Sequence, residues 1–381
     1  MDSRALRVLT ASKAEARLTQ CWERSTRISR SSYPAAGELM LLAGYHSLQA
    51  CTGSRSRPIT IGEVMPSLER TGHHQPHHSE GMRSDLYIET VLEKCSALMA
   101  AGLWRRSPAV RPRAWLENFD RDDQPAAAVL LDHFTYFAST AVDQMLLSLY
   151  RQLRDGLIST MGVERAIATL DSAIFTSVEG EDPNVTDSGN LFCRKLRQTA
   201  GIADSRFMDP KRALEQAKAG RLIVFLDDML GSGSQIMATW KRDYLNSQPY
   251  SFADLEAETG SHVIYATLVA TRDGLDRLRG EVSGLQVIAA HVLDAADTIT
   301  GVPHSALKPD LEDIPGAIAN LLEKYAPRLG VPPYLENPRS RMYGHTEGGL
   351  LVAFEHSTPD STLPIFWAVG PDQWTPLVRR V

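Results

Sequence analysis

Two adjacent carboxylates, Asp227 and Asp228, stand directly after the apolar run Leu222-Ile223-Val224-Phe225-Leu226 and shortly before Gly231-Ser232-Gly233-Ser234. A buried strand of that composition delivers both acids to the carboxyl edge of a parallel sheet, the edge at which open α/β folds hold ligands. Gly231 and Gly233 let the chain turn tightly with backbone N–H groups pointing inward. Ser232 and Ser234 add hydroxyls beside a helix start that continues through Gln235. Such a turn cradles a phosphate. The acids repel that anion, so their natural partners are sugar hydroxyls or a Mg²⁺ ion bridging them to the ligand. The plain alternative is a strand ending in a solvated acidic turn. The order of apolar run, two acids, glycine–serine turn and helix favours the phosphate site, because the motif sits in the strand–turn–helix context it needs.

A second group of residues falls on the same expected sheet edge. The strand-like Ile174 to Val178 leads into Glu179-Gly180-Glu181-Asp182-Pro183 and then Thr186-Asp187-Ser188-Gly189, ahead of a helix carrying Arg194, Lys195 and Arg197. Ser188 and Gly189 at a helix start can receive an anion through free N–H groups, and Arg194 or Arg197 can neutralise it. An acidic surface loop before an ordinary basic helix face explains the same residues equally well. His345 and His356 have no carboxylate fixed beside them by the sequence, and His133 precedes an aromatic cluster, so all three are placed outside the site.

These residues need a frame to hold them. Leu86, Ile88, Val91, Leu92, Leu98 and Met99 predict an amphipathic helix over 85–103 ending near Gly102. Prolines 108 and 112 break the chain, and helical stretches are expected over Ala126 to Phe137, Asp143 to Leu157 and Val163 to Leu170. From there the rhythm changes to short apolar runs, Ala173 to Val178, Leu222 to Leu226, Val263 to Ala270 and Leu285 to His291. They alternate with helical segments at Asn190 to Thr199, Pro210 to Ala219, Ser234 to Tyr244 and Arg272 to Arg279, the pattern of a parallel sheet with crossover helices. One more helix is expected at Ile314 to Tyr325. Leu350 to Phe354 and Pro364 to Ala368, joined by turn formers, predict a terminal β-hairpin. The expected fold is therefore α/β: a parallel-sheet, Rossmann-like core over 171–300, a helical region over 82–170 and an extension over 301–381 with a C-terminal β-hairpin. Residues 1–81, rich in Arg and Ser and with His73, His74, His77 and His78 close together, read as weakly structured low-complexity sequence. A true start at Met82 accounts for the change in character as well.

The chain of 381 residues carries a formal net charge of −6, which argues against coating nucleic acid as its main task, since that needs a basic face. Cys21, Cys51, Cys95 and Cys193 lack metal-site or disulfide spacing and read as free thiols. No apolar stretch reaches the roughly 18–20 residues that cross a bilayer, and the N-terminus lacks the apolar core of a secretory signal, so a cytoplasmic protein without membrane contact is expected.

The run from Leu226 to Ser234 resembles the phosphoribosyl-pyrophosphate motif of type I phosphoribosyltransferases. The resemblance implies that Asp227 and Asp228 contact ribose hydroxyls, with Mg²⁺ as cofactor, while Ser232, Gly233 and Ser234 hold the 5′-phosphate. Gly231 and Gln235 stand where that family carries threonine-like hydroxyls, which implies a weaker phosphate grip or an altered ligand. Trp115-Leu116-Glu117-Asn118-Phe119, the Ser188-Gly189 segment and the tail from Thr358 to Trp367 with Trp374 and Pro376 are similar to the bacterial phosphoribosyltransferase-like proteins with a C-terminal extension. Those are found among mobile conflict and phage-defence systems, and the likeness covers about residues 83–381. It implies phosphoribosyl pyrophosphate or a nucleotide as ligand, a protein partner in a defence system, and glycosyl transfer or nucleotide processing. A non-catalytic sensor of ribose phosphates and a structural protein with a decayed site are the competing readings.

Overall fold

The computed structural model describes residues 77–180, 188–245, 249–260, 263–294, 297–302, 309–370 and 374–380. Of the weakly structured stretch expected over 1–81, residues 1–76 lie outside the described residues, as do residues 181–187 of the loop after the strand-like Ile174 to Val178. Helix α1 (His77–Ala100) begins ahead of the predicted Asp85. The proline-broken stretch contains the short α2 (Pro112–Leu116), and α3 (Gln124–Asp132) places Pro125 in its first turn, where the missing N–H has no helical partner to lose. The apolar run expected to stay helical to Phe137 does not do so. After α3, Thr135–Phe137 forms strand β1, as a β-branched residue and two aromatics favour an extended chain. Helix α4 (Ser139–Met161) buries Val142, Leu146, Leu149, Leu153 and Leu157 along one face, and α5 (Val163–Ser172) follows it.

Four strands then lie parallel and side by side in chain order: β2 (Ile174–Ser177), β3 (Ile223–Leu230), β4 (Val263–Thr271) and β5 (Leu285–Leu293). Helices α6 (Ser188–Ala200) and α7 (Pro210–Lys218) connect the first two, α8 (Ser234–Lys241) and α9 (Phe252–Thr259) the next two, and α10 (Arg272–Glu281) the last two. When neighbouring strands follow chain order, crossovers of one hand leave their helices on one face. Helices α7 to α10 take that face, packing on Ile223, Phe225, Val263 and Tyr265. The other face, with Val224, Leu226, Ile264 and Ala266, is covered by α4, α5 and α6. Strands β3 and β4 are thus buried on both sides, which is why they read as unbroken apolar runs.

The C-terminal part adds α11 (Ile314–Tyr325), α12 (Pro338–Tyr343) and β6 (Val352–Phe354). The predicted hairpin is not formed. Strand β6 pairs in parallel with β1, Thr135 opposite Val352 and Phe137 opposite Phe354, while Pro364–Phe366 is a single 3₁₀ turn. A proline at the head of the second run supplies no N–H for a ladder and suits the start of a helical turn. The intervening residues are held by their own backbone instead, with Thr362 N–H donating to Pro359 O at 3.0 Å and Leu363 N–H to Leu350 O at 3.0 Å.

The helical region and the extension share one apolar layer, in which Leu116, Phe119, Leu130 and Phe134 meet Tyr325, Ile365, Phe366 and Trp374. Trp115 is fully buried there, stacks on Phe366 with ring centroids 5.3 Å apart, and donates its indole N–H to Ile365 O at 2.8 Å. The described residues all belong to one unit, Arg70–Val381. Among them, no helix is long and apolar enough to cross a membrane.

Candidate functional site

Strand β3 runs past Leu226 to Leu230, so both acids lie within the strand. The β3–β4 ladder pairs Asp227 with Thr267 and Met229 with Val269 but skips Asp228 and Leu268. Leu226 and Met229 pack into the same apolar layer, and so do the adjacent Leu268 and Val269. Strict alternation would separate each of those pairs. The two strands therefore shift faces together at this point, and both neighbouring acids reach one cleft. Thr267 Oγ1 donates to Val269 O at 3.0 Å inside the irregular stretch.

Asp227 is buried at 4% exposure, with Oδ2 accepting from the Tyr265 hydroxyl at 2.9 Å and Oδ1 from the Asp228 N–H at 2.9 Å. Burial and, after it, the charge of Asp228 hold its carboxyl well above the ordinary aspartate range, against the opposing pull of the Tyr265 hydrogen bond. Burial together with Asp227 pushes the Tyr265 phenol up as well. A cation between the two acids would relieve this repulsion. Among the described residues no cluster of three acidic, histidine or cysteine side chains could cage a metal by itself. One or two carboxylates completed by ligand phosphates is the usual arrangement for Mg²⁺, and Asp227 with Asp228 fits it.

The turn after β3 is built for close approach. Gly233 adopts φ of 82° as the N-cap of α8, a left-handed conformation that side chains resist. The start of α10 clamps the turn: Thr271 Oγ1 donates to Gly231 O at 2.7 Å, and a Cβ on Gly274 would drive into that same carbonyl oxygen. Ser232 Oγ and Ser234 Oγ lie 3.1 Å apart, and Gln235 follows at the rim of the cleft. Arg277 Nη1 donates to Ser232 O at 3.0 Å and lies 3.4 Å from Ser234 Oγ, making it a cation at the turn that sequence reasoning passed over.

The second predicted group is placed differently. Gly189 is pressed against the strand ends, where a Cβ would stand 2.8 Å from Ser177 Cβ and 3.1 Å from Leu226 O. Its glycine identity thus has a packing reason. Arg194 is exposed, Arg197 pairs with Asp204, and neither lines the cleft. Ser188 opens α6.

What the sequence did not reveal is the contribution of the extension. His356 Nε2 lies 3.1 Å from Asp228 Oδ2, and Ser357 Oγ donates to the same oxygen at 3.3 Å. The expectation that His356 has no carboxylate partner is corrected here. Its ring is wedged between Phe354 and Phe192, at 5.0 and 4.9 Å between centroids, so α6 and β6 together aim it at Asp228. His345 was also placed outside the site, yet it lines the cleft with Tyr334, Asp360 and Arg380. His133 Nδ1 sits 2.9 Å from Val129 O at the end of α3, in a helix-packing role. Cys95 and Cys193 are free thiols, each pushed up to about 12 chiefly by burial. The acids, the glycine–serine turn and the tail segments enclose a common cavity of about 620 Å³.

A doubly covered parallel sheet with an acidic strand end and a glycine–serine turn at its carboxyl edge defines a phosphoribosyltransferase-like α/β protein. The PRTase-CE family model matches residues 112–380, and the chain belongs to that family of phosphoribosyltransferase-like proteins with a C-terminal extension. No curated protein matches it in sequence. Among solved structures, the AQ2163 protein from Aquifex aeolicus is similar at 14% identity over 39% of this chain, with a TM-score of 0.22. The match spans 65% of that structure's length, just under two thirds, and is too slight to bear on fold or function.

Proposed function

We propose that the cleft binds a ribose phosphate, either phosphoribosyl pyrophosphate or a nucleotide, together with Mg²⁺, and that the protein acts in glycosyl transfer or nucleotide processing. The observation that carries this reading is the opening of the Asp227–Asp228 pair and the Gly231–Gln235 turn onto one cavity. Backbone N–H groups and the hydroxyls of Ser232 and Ser234 receive the phosphate at the start of α8, with Arg277 adding positive charge beside them. Asp228 accepts ribose hydroxyls, and Asp227, seated deeper, shares the cation with it. Bound Mg²⁺ would supply charge neutralisation of the departing pyrophosphate. The chain's own part is to hold the anomeric carbon in place against the acceptor. Ser188, Gly189, Arg194 and Arg197 remain proposed anion contacts only through the strand-end position of α6. A setting in bacterial conflict or phage defence, with a protein partner, rests on the family resemblance.

A second reading, a sensor that binds without turnover, is favoured by one contact. The extension already occupies Asp228 Oδ2 through His356 and Ser357, so a ribose at that oxygen must trade with β6 and its following residues. Titration calorimetry of phosphoribosyl pyrophosphate with Mg²⁺ into wild type and the Asp227→Asn/Asp228→Asn double variant, with pyrophosphate release followed in parallel, separates the two. Saturable binding lost in the variant supports the site, and release of pyrophosphate selects the enzyme while its absence selects the sensor. A folded wild type that binds neither phosphoribosyl pyrophosphate nor a nucleotide would overturn both.

A further inference from the structure

The acids and the glycine–serine turn account for only part of the cleft; Tyr334, His345, Asp360 and Arg380 come from the extension. We infer that Tyr334 and Asp360 form a seat for a nucleobase, with a planar nitrogen heterocycle stacked on Tyr334 and donating an N–H to Asp360 Oδ2. The inference rests on the ribose-phosphate reading of the same cleft and adds what stands at the other end of the ribose.

Tyr334 is 49% exposed, unusual for a large ring, yet it is not loose. Its hydroxyl donates to Asp360 Oδ1 at 2.8 Å and accepts from Arg380 Nη1 at 3.1 Å. A flat, half-exposed ring already fixed in orientation loses little freedom when another ring is laid on it. His345 stands edge-on to it at 6.3 Å and closes one side.

Asp360 gives a direction to the seat. Tyr334 and Arg380 both take Oδ1, so Oδ2 has no partner among the described residues, and the side chain is 42% exposed. A carboxylate oxygen beside a stacking surface accepts N–H groups and repels anions. Arg380 does not reverse that preference, because its guanidinium pairs with Asp360 and lies over the Trp367 ring at 4.8 Å. The wall is therefore suited to a neutral ring bearing N–H donors, while the phosphate goes to the glycine–serine turn. A cavity of about 620 Å³ is of the size that takes a nucleotide-sized ligand.

The test is calorimetric titration of the full chain, with Mg²⁺ present, by ribose 5-phosphate and by guanosine 5′-monophosphate, whose ring carries adjacent N–H donors. Wild type should bind the nucleotide roughly tenfold or more tightly than ribose 5-phosphate, the range expected for one stacked base. Tyr334→Ala should erase that advantage while ribose 5-phosphate binds as before, Asp360→Asn should reduce it several-fold, and Tyr334→Phe should keep most of it. The Phe and Asn variants, which change little volume, decide the matter if circular dichroism shows the Ala variant unfolded. Equal affinity for the two compounds, or a nucleotide advantage indifferent to both positions, overturns the base seat and leaves the ribose-phosphate site standing. Failure of wild type to bind either compound overturns the base seat, and the ribose-phosphate site falls with it only if phosphoribosyl pyrophosphate also fails to bind.

Discussion

At the scale of single residues, the most consequential fact is that Asp227 carries a raised carboxyl pKa inside the fold, through burial first and Asp228 second. A group raised in the folded state binds a proton that the unfolded chain releases near pH ~3.9, so folding stability is lost as pH climbs from there through the raised value. Asp227→Asn, which does not titrate, should therefore stabilise the ligand-free protein at pH 7 by roughly 0.5–2 kcal/mol, the usual size of relief at a strained functional site. Urea denaturation should show that gain shrinking as the pH is lowered toward about 4. Addition of Mg²⁺ and phosphoribosyl pyrophosphate should restore the advantage to wild type; a variant no more stable than wild type at pH 7 would refute the strain. The acids and the turn were legible in the sequence because their chemistry is local. Those of the extension were not, since Asp228 meets His356 only once β6 has been placed.

Among the elements, the turn after β3 depends on the start of α10. Gly274 leaves room for Gly231 O, and Thr271 ties that carbonyl down. Gly274→Ala should push the two apart, destabilising by about 1–3 kcal/mol as overpacking does. It should also weaken ribose 5-phosphate binding beyond any change in thermal stability, which calorimetry on the folded variant would reveal. Helix α9 is held by a different device, a capping box in which Ser251 and Asp254 exchange hydrogen bonds. Ser251→Ala should cost about 1 kcal/mol in urea denaturation while leaving ligand binding alone. Helix α9 was not expected from the sequence, because only a short apolar face follows its cap. Strands β3 and β4 were legible because strands covered on both faces leave continuous apolar runs, and β2 and the partly exposed β5 were legible from the apolar runs Ala173 to Val178 and Leu285 to His291. Strand β1 was not, and for β6, foreseen as the strand-like run Leu350 to Phe354, only the partner was missed, because a parallel pair joins segments far apart in the chain and has no turn signature. The predicted hairpin failed on that ground: alternation and turn formers identify two runs but do not say what each will pair with.

For the whole molecule, the decisive arrangement is the apolar layer shared by the helical region and the extension. Trp115→Ala removes a fully buried ring that packs on Phe119 and Phe366 and hydrogen-bonds Ile365 O, and should lower stability by about 3–5 kcal/mol. Cutting the chain after residue 300 should leave Phe119, Leu130 and Phe134 without their partners and yield an aggregating product, whereas an independent α/β core would stay soluble and monomeric in size-exclusion chromatography. The charge and composition made a folded protein legible, yet nothing in them indicated that the helical region and the extension build one layer. That arrangement also orders events during synthesis. The indole of Trp115 leaves the ribosome long before Ile365 and Phe366 exist, so the helices around it must wait with an open apolar side until those residues are translated. Contacts of such long sequence separation form late, and surfaces left waiting for them are where aggregation begins. A slow translation pause or an early stop ahead of Ile365 would therefore harm this protein through its helical region as much as through its extension.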